Sequence, residues 1–180
     1  RVYDDITKSK SIATILKYKD KVSNVKTVKL KERKLQNKGC SLGIIGSGNF
    51  TKSTILPALQ KTKSQFIGIS SFDGLSSTLL GEKYKFSYST SDYLKIIDDE
   101  KINTVLITTR HNTHAKIIQE ALKKNKNVFV EKPLAINKED IEQIISTYNA
   151  FPESSLMVGF NRRFSPHATK IRHYTKNISD

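Results

Sequence analysis

From residue 40 onward the chain alternates between two hydrophobic periods. CSLGIIG (40–46) is a short apolar run of the kind a strand buried on both faces gives. NFTKSTILPALQKT (49–62) instead places Phe50, Ile55, Leu56 and Leu59 at helical spacing, with Pro57 predicting a kink or a tightened turn inside it. QFIGIS (65–70) predicts a second strand, LSSTLLGEKY (75–84) a helix of weak amphipathicity, and KFSYS (85–89) a third, short strand. Ser91 is the expected cap of a helix over SDYLKIIDDE (91–100). NTVLITT (103–109), rich in β-branched residues, is the strongest strand signal. HAKIIQEALKKN (114–125) gathers Ile117, Ile118, Ala121 and Leu122 on one face and ends in lysines that suit the helix dipole. NVFVEKP (127–133) is a further strand. Asn137, with Asp140 three residues on, opens a helix over 137–150. SLMVGFNRR (155–163) supplies a sixth strand.

Strand–helix alternation over some 120 residues predicts right-handed crossovers and an α/β, doubly wound parallel sheet. Such sheets bind ligands at the carboxyl ends of their strands. The informative residues are therefore the ones that come after each apolar run: 46–51, 70–73, 108–114, 131–133 and 161–163.

Residues 1–38 read differently. SIATILKY (11–18) predicts one strand, and the Lys-rich stretch 25–39 a strand or linker, with too little apolar material for a core of its own. This segment either packs on the α/β region downstream of it or belongs to something upstream. Residues 1–40 hold 12 Lys/Arg against 4 Asp/Glu, and the whole 180-residue chain carries a formal charge of +14. The lysines are scattered among polar residues without interleaved aromatics, so they predict a solvated surface and no nucleic-acid partner. No apolar stretch reaches the length of a membrane span. A lone Cys40 without CxxC spacing predicts no metal and no disulfide, and suits a cytoplasmic setting.

The turn after the first strand, GSGNF (46–50), carries the first candidate chemistry. Exposed backbone N–H groups at a helix N-terminus hold a pyrophosphate if no side chain intervenes. Gly46 would make the tight turn and Gly48 would admit the phosphates, with Ser47, Asn49 and Phe50 beside them. The third small residue of a dinucleotide fingerprint is replaced by Thr51, which is tolerable if the helix stands slightly farther off. An ordinary glycine-rich bend is the alternative. After the second strand an acid is expected to take the adenosine ribose hydroxyls, but Ser71 stands there and Asp73 lies two residues late. Two small hydroxyls do not repel a 2′-phosphate, so NAD and NADP both remain open.

The runs GIIGSGNF (43–50), VLITTRHNTHAKIIQEALKKNKNVFVEKPLA (105–135) and MVGFNRRFSP (157–166) resemble the Gfo/Idh/MocA oxidoreductases, over about residues 41–175. The resemblance implies a Rossmann-type NAD(P)-binding domain. It makes 46–49 the cofactor phosphate turn and sets Thr109 to His114 beside the dinucleotide; within that run His111 and Arg110 could reach the cofactor or be idle loop residues. Arg110 replaces that run's usual proline. It assigns Glu131-Lys132-Pro133 to the motif that brings a lysine to nicotinamide and substrate, and Asn161 and Arg162 to the crossing toward a substrate domain. Lys132 also suits the part on its own terms: a lysine fixed at a strand end by a following proline can donate to, or take a proton from, a substrate hydroxyl. A solvated surface lysine is the alternative. Glu131 could equally form a salt bridge or turn cap, and His114 could cap the helix it begins. Arg162 and Arg163 could bind an acidic substrate group or pair with surface acids.

Family members run well beyond 300 residues, so the 180 residues are read as a piece of a larger enzyme. The segment 1–38 is an extension whose start is similar to the end of zinc-type alcohol dehydrogenases, 39–160 is the cofactor domain, and 161–180 opens a substrate domain. The implied reaction is hydride transfer between nicotinamide and a secondary alcohol of a sugar or polyol, in a protein that could be a homo-oligomer. The rival is a non-catalytic nucleotide-binding or interaction protein.

Overall fold

A computed structural model describes residues 25–30 and 39–175. The predicted strand 11–18, and with it the resemblance to an upstream alcohol dehydrogenase module, lies outside the described residues. Seven strands form one sheet: β1 (Thr27–Lys29), β2 (Ser41–Ile45), β3 (Gln65–Ser70), β4 (Tyr88–Thr90), β5 (Thr104–Ile107), β6 (Asn127–Glu131) and β7 (Leu156–Gly159). Their order is β1-β4-β3-β2-β5-β6-β7. All neighbours are parallel except β1, which pairs antiparallel with β4, Thr27 opposite Thr90. Part of the Lys-rich stretch thus joins the downstream sheet as an edge strand. The order reverses at β2, and the crevice outside β2, β3 and β5 is the topological switch point.

The helices are α1 (Leu56–Leu59), α2 (Leu75–Tyr84), α3 (Leu94–Asp98), α4 (His114–Leu122), α5 (Lys138–Ala150) and α6 (Pro166–Thr175). They cover both faces because each central strand is apolar on both. Leu42, Ile44, Leu56, Phe66, Leu80 and Phe86 fill one layer. Ile45, Ile97, Val105, Ile107, Ile118, Leu122 and Ile144 fill the other. The predicted face of α4 is the buried one, and Asn137 caps α5 by accepting from Asp140 N at 2.7 Å. No helix among the described residues is long and apolar enough to cross a membrane.

Four local expectations are corrected. The third short strand is Tyr88–Thr90, because Lys85 turns left-handed (φ 61°) at the end of α2 and Phe86 drops into the core. Ser91 does not cap α3. Its backbone and hydroxyl turn to Lys26 O at the β1 edge, and the side chain of Asp92 accepts from Leu94 N instead. Pro57 brings no tightened turn: the helix before it widens into a π-helical segment, Thr51–Ile55, in which Leu56 N donates to Thr51 O. The last strand ends at Gly159, and Asn161–Phe164 form a 3-10 turn.

Candidate functional site

The turn leaving β2 is built around Gly46. Its φ of +110° and its close seat on β5 both require glycine: a methyl group there would lie 2.7 Å from the carbonyl carbon of Thr108. Gly46 N donates to Ser70 O (2.9 Å), and Gly46 O accepts from Thr108 Oγ1 (2.9 Å) and Thr51 Oγ1 (3.1 Å). Thr51, fully buried, also lies 2.7 Å from Thr108 through the two hydroxyls. The threonine in the third fingerprint position is therefore a hydrogen-bonded part of the turn, with the π-helical segment opening room behind it.

Gly48 is different. A methyl group there would meet no protein atom within 4 Å. The first bond into the helix runs from Lys52 N to Gly48 O (3.0 Å). The N–H groups of Ser47, Gly48, Asn49 and Phe50 precede it and donate to no protein acceptor among the described residues. Unpaired amides around an open cradle fit a bound pyrophosphate, the group the turn was expected to hold.

Beside it the chain leaves β3 through Ser71 and a turn closed at Gly74 (φ 69°). Ser71 Oγ donates to Asp73 Oδ1 at 2.6 Å, and Ser76 donates to the same oxygen from Oγ (2.8 Å) and N (3.3 Å). Ser76 Oγ is also 2.6 Å from Ser47 Oγ. Hydrogen bonds from Ser71 and Ser76 hold the Asp73 carboxyl below its ordinary range. Along the chain Asp73 lies two residues late, and the fold brings it back.

The remaining candidates meet in a cleft of about 660 Å³ at the carboxyl edge of the sheet, lined by Phe50, Thr109, His111, Glu131, Lys132, Asn161 and Arg162. Thr108, Gly159, Phe160 and Arg163 complete the wall. Sequence reasoning misses Gly159 and Phe160 as site residues, although they stand at a strand end as the others do. Lys132 is exposed and makes no hydrogen bond or ion pair among the described residues. Glu131, half-buried, forms no salt bridge there: Oε1 accepts from Asn161 Nδ2 at 3.0 Å, tying the ends of β6 and β7 together. Thr109 accepts the hydroxyl of Thr113 at 2.7 Å.

His114 is the exception. It is fully buried, outside the cleft wall, and its ring nitrogens face two carbonyls: Nδ1 is 2.7 Å from Pro133 O and Nε2 3.2 Å from Thr109 O. It does not cap α4, whose N-cap is Thr113. Its ring is committed to holding the loop after β5 against the turn after β6.

A family profile described as "Oxidoreductase family, NAD-binding Rossmann fold" (GFO_IDH_MocA) matches residues 40–161. The chain belongs to the Gfo/Idh/MocA oxidoreductase family. It is 29% identical over 135 residues to the uncharacterised oxidoreductase YrbE of Bacillus subtilis (strain 168), covering 75% of this chain and 39% of that protein. It is 31% identical over 96 residues to myo-inositol 2-dehydrogenase of Thermotoga maritima, covering 53% of this chain and 28% of the relative. Its fold matches that of KijD10, a 3-ketoreductase of Actinomadura kijaniata solved with NADP. The TM-score is 0.71 at 20% identity, over 77% of this chain and 44% of that one. The chain thus spans less than half the length of these relatives. The family's Rossmann domain binds NAD(P), and the turn 46–50 is the part of the chain that fits its diphosphate.

Proposed function

We propose that this chain is the cofactor-holding part of an NAD(P)-dependent dehydrogenase acting on a secondary alcohol of a sugar or polyol. One observation carries the reading: Phe50 of the open phosphate turn and Lys132 of the EKP run line the same cleft. The bound dinucleotide supplies the hydride acceptor or donor. The backbone amides of 47–50 bind its diphosphate, and Thr109 and His111 flank it. Lys132, with no protein partner among the described residues, donates a hydrogen bond to the substrate hydroxyl oxygen or accepts its proton. Glu131, fixed by Asn161, keeps the lysine's strand end beside β7. Arg162 lies on the substrate side of the cleft. The inositol dehydrogenase relatives support a polyol-like substrate.

In the domain plan that accompanies this reading, residues 39–160 hold the cofactor and 161–180 begin a substrate domain. The protein is assigned to the cytoplasm, as a homo-oligomer in its longer form. Titration of the chain with NADH and NADPH, followed by nicotinamide fluorescence, tests the cofactor role. Turnover of inositols and sugars by the longer protein, with and without Lys132→Ala, tests the reaction. Wild-type rates in that variant remove Lys132 from the chemistry, and dinucleotide binding without turnover of any polyol favours a non-catalytic role.

A further inference from the structure

Resting on the cofactor reading above, we propose that the substrate is an anionic polyol, a sugar acid or sugar phosphate. Arg162 and Arg163 hold its carboxylate or phosphate while its secondary hydroxyl meets Lys132. The cleft at the carboxyl edge of the sheet is lined by the cations Lys132, Arg162 and Arg163, with His111 beside them, and by a single carboxylate, Glu131. That carboxylate is engaged elsewhere: Oε1 accepts from Asn161 Nδ2 at 3.0 Å. The ion pairs among the described residues are Lys124–Asp98 and Lys138–Glu142, so neither arginine has an acidic partner there. A neutral polyol leaves this positive cleft uncompensated. A guanidinium fork matches the paired oxygens of a carboxylate or a phosphate.

Both arginines sit on a fixed backbone, the 3-10 turn Asn161–Phe164 that follows β7. Asn161 ties the start of that turn to Glu131. Within it Arg163 N donates to Phe160 O (3.2 Å), and Arg162 O accepts from Ser165 N (3.0 Å). The Arg163 guanidinium lies over the Phe164 ring, 4.9 Å from its centre. Stacking holds the guanidinium plane and leaves its in-plane N–H groups to meet an anion. The dinucleotide does not call on these cations. Its diphosphate sits on the turn after β2, and β7 stands three strands away across β5 and β6, about 14 Å at the usual strand spacing. Lys132 instead follows β6, the neighbour of β7, so a sugar-sized molecule spans the step from lysine to arginines. In the oxidising direction the carbinol carbon gives its hydride to the oxidised nicotinamide, and its hydroxyl gives a proton to neutral Lys132. The products are a ketone that keeps its anionic group, the reduced dinucleotide and a lysine ammonium.

The test is calorimetric titration of the full-length protein loaded with NADH or NADPH, which gives dead-end complexes with alcohols. The probes are D-sorbitol, D-gluconate and D-sorbitol 6-phosphate, a neutral polyol with its carboxylate and phosphate counterparts. At least one of the two acids should bind roughly tenfold or more tighter than sorbitol, and which one does so tells carboxylate from phosphate. The double variant Arg162→Gln/Arg163→Gln should lose that advantage, and Lys170→Gln on exposed α6 should keep it. Added salt should weaken the acids and not sorbitol, because only a charge attraction is screened. Affinity for the reduced dinucleotide should be the same in all three proteins. Equal binding of sorbitol and both acids, binding of neither acid, or an advantage unchanged in the double variant overturns the inference while leaving the cofactor reading intact. So does a fall in dinucleotide affinity with the arginines, which would assign them to the cofactor. Binding of neither NADH nor NADPH by wild type overturns both.

Discussion

The ring nitrogen Nδ1 of His114 lies 2.7 Å from the carbonyl oxygen of Pro133, nineteen residues away. That contact sets the turn following Lys132 onto the first residue of α4. Nε2 faces Thr109 O at 3.2 Å, so one buried ring spans two of the loops that wall the cleft. Replacing His114 with Ala leaves both carbonyls without this partner and opens a cavity in a fully buried site. The expected cost is about 2–4 kcal/mol in denaturant unfolding. Hydrogen exchange should rise at residues 131–135 ahead of the rest of the sheet.

The two glycines of the phosphate turn should respond to alanine in opposite ways. At Gly46 the added methyl strikes the Thr108 carbonyl, and φ is +110°. Gly46→Ala should lose about 1–3 kcal/mol of stability. Gly48→Ala meets no protein atom, so its melting temperature should hold while dinucleotide affinity falls. Thermal melts paired with NADH titration distinguish the two.

Thr108 Oγ1 contacts Gly46 O, Ile45 O and Thr51 Oγ1. Thr108→Val keeps the shape and removes those bonds, leaving the buried Thr51 hydroxyl with Gly46 O alone. A loss of about 1–2 kcal/mol is expected. The double variant Thr51→Val/Thr108→Val should lose less than the sum of the two single changes.

Alkaline pH should expose a weak point on the other side of the sheet. Burial, with the Asp99 carboxylate 3.0 Å away, pushes the Tyr88 hydroxyl well above the ordinary tyrosine value of 10.0. Burial and Glu120 push Tyr93 up to about 12. Both groups are raised in the fold. Their stabilisation is therefore complete below pH about 10 and is lost as pH rises through the folded values. Urea midpoints measured from pH 8 to 11.5 should fall at the upper end, and Tyr88→Phe should flatten that fall.

Acid should act through Asp73 in the opposite sense. Its folded value is lowered from 3.8 by donors from Ser71 and Ser76. The contribution is present above pH about 4 and disappears as pH drops through the folded value. The group is exposed, so the effect on stability is small. Above pH about 4 the carboxylate stays ionised in the fold, so NADH affinity read by fluorescence from there to neutrality should show the same pH dependence in wild type and in Asp73→Asn.

The pattern of apolar residues by itself determined the alternation of strands and helices, because a strand buried on both faces and a one-sided helix leave different periods. QFIGIS and LSSTLLGEKY fold over the residues their periodicity marks. It also determined where to look, since the strand ends that periodicity singles out border the switch-point crevice or the cleft beside it. Three things were decided only by tertiary structure. A β-branched Thr51 fits a glycine position because Thr108, 57 residues away, supplies a hydroxyl. His114, read from its run as a neighbour of the dinucleotide, is fully buried, its ring held between carbonyls five and nineteen residues away. Asp73 stands out of step with the fingerprint along the chain, and in space it is returned to the strand end by three donors on one oxygen. Periodicity reports which face of an element meets the core. It carries no record of which loops fold back on one another, and at this site those loop contacts place the hydroxyl, the imidazole and the carboxylate.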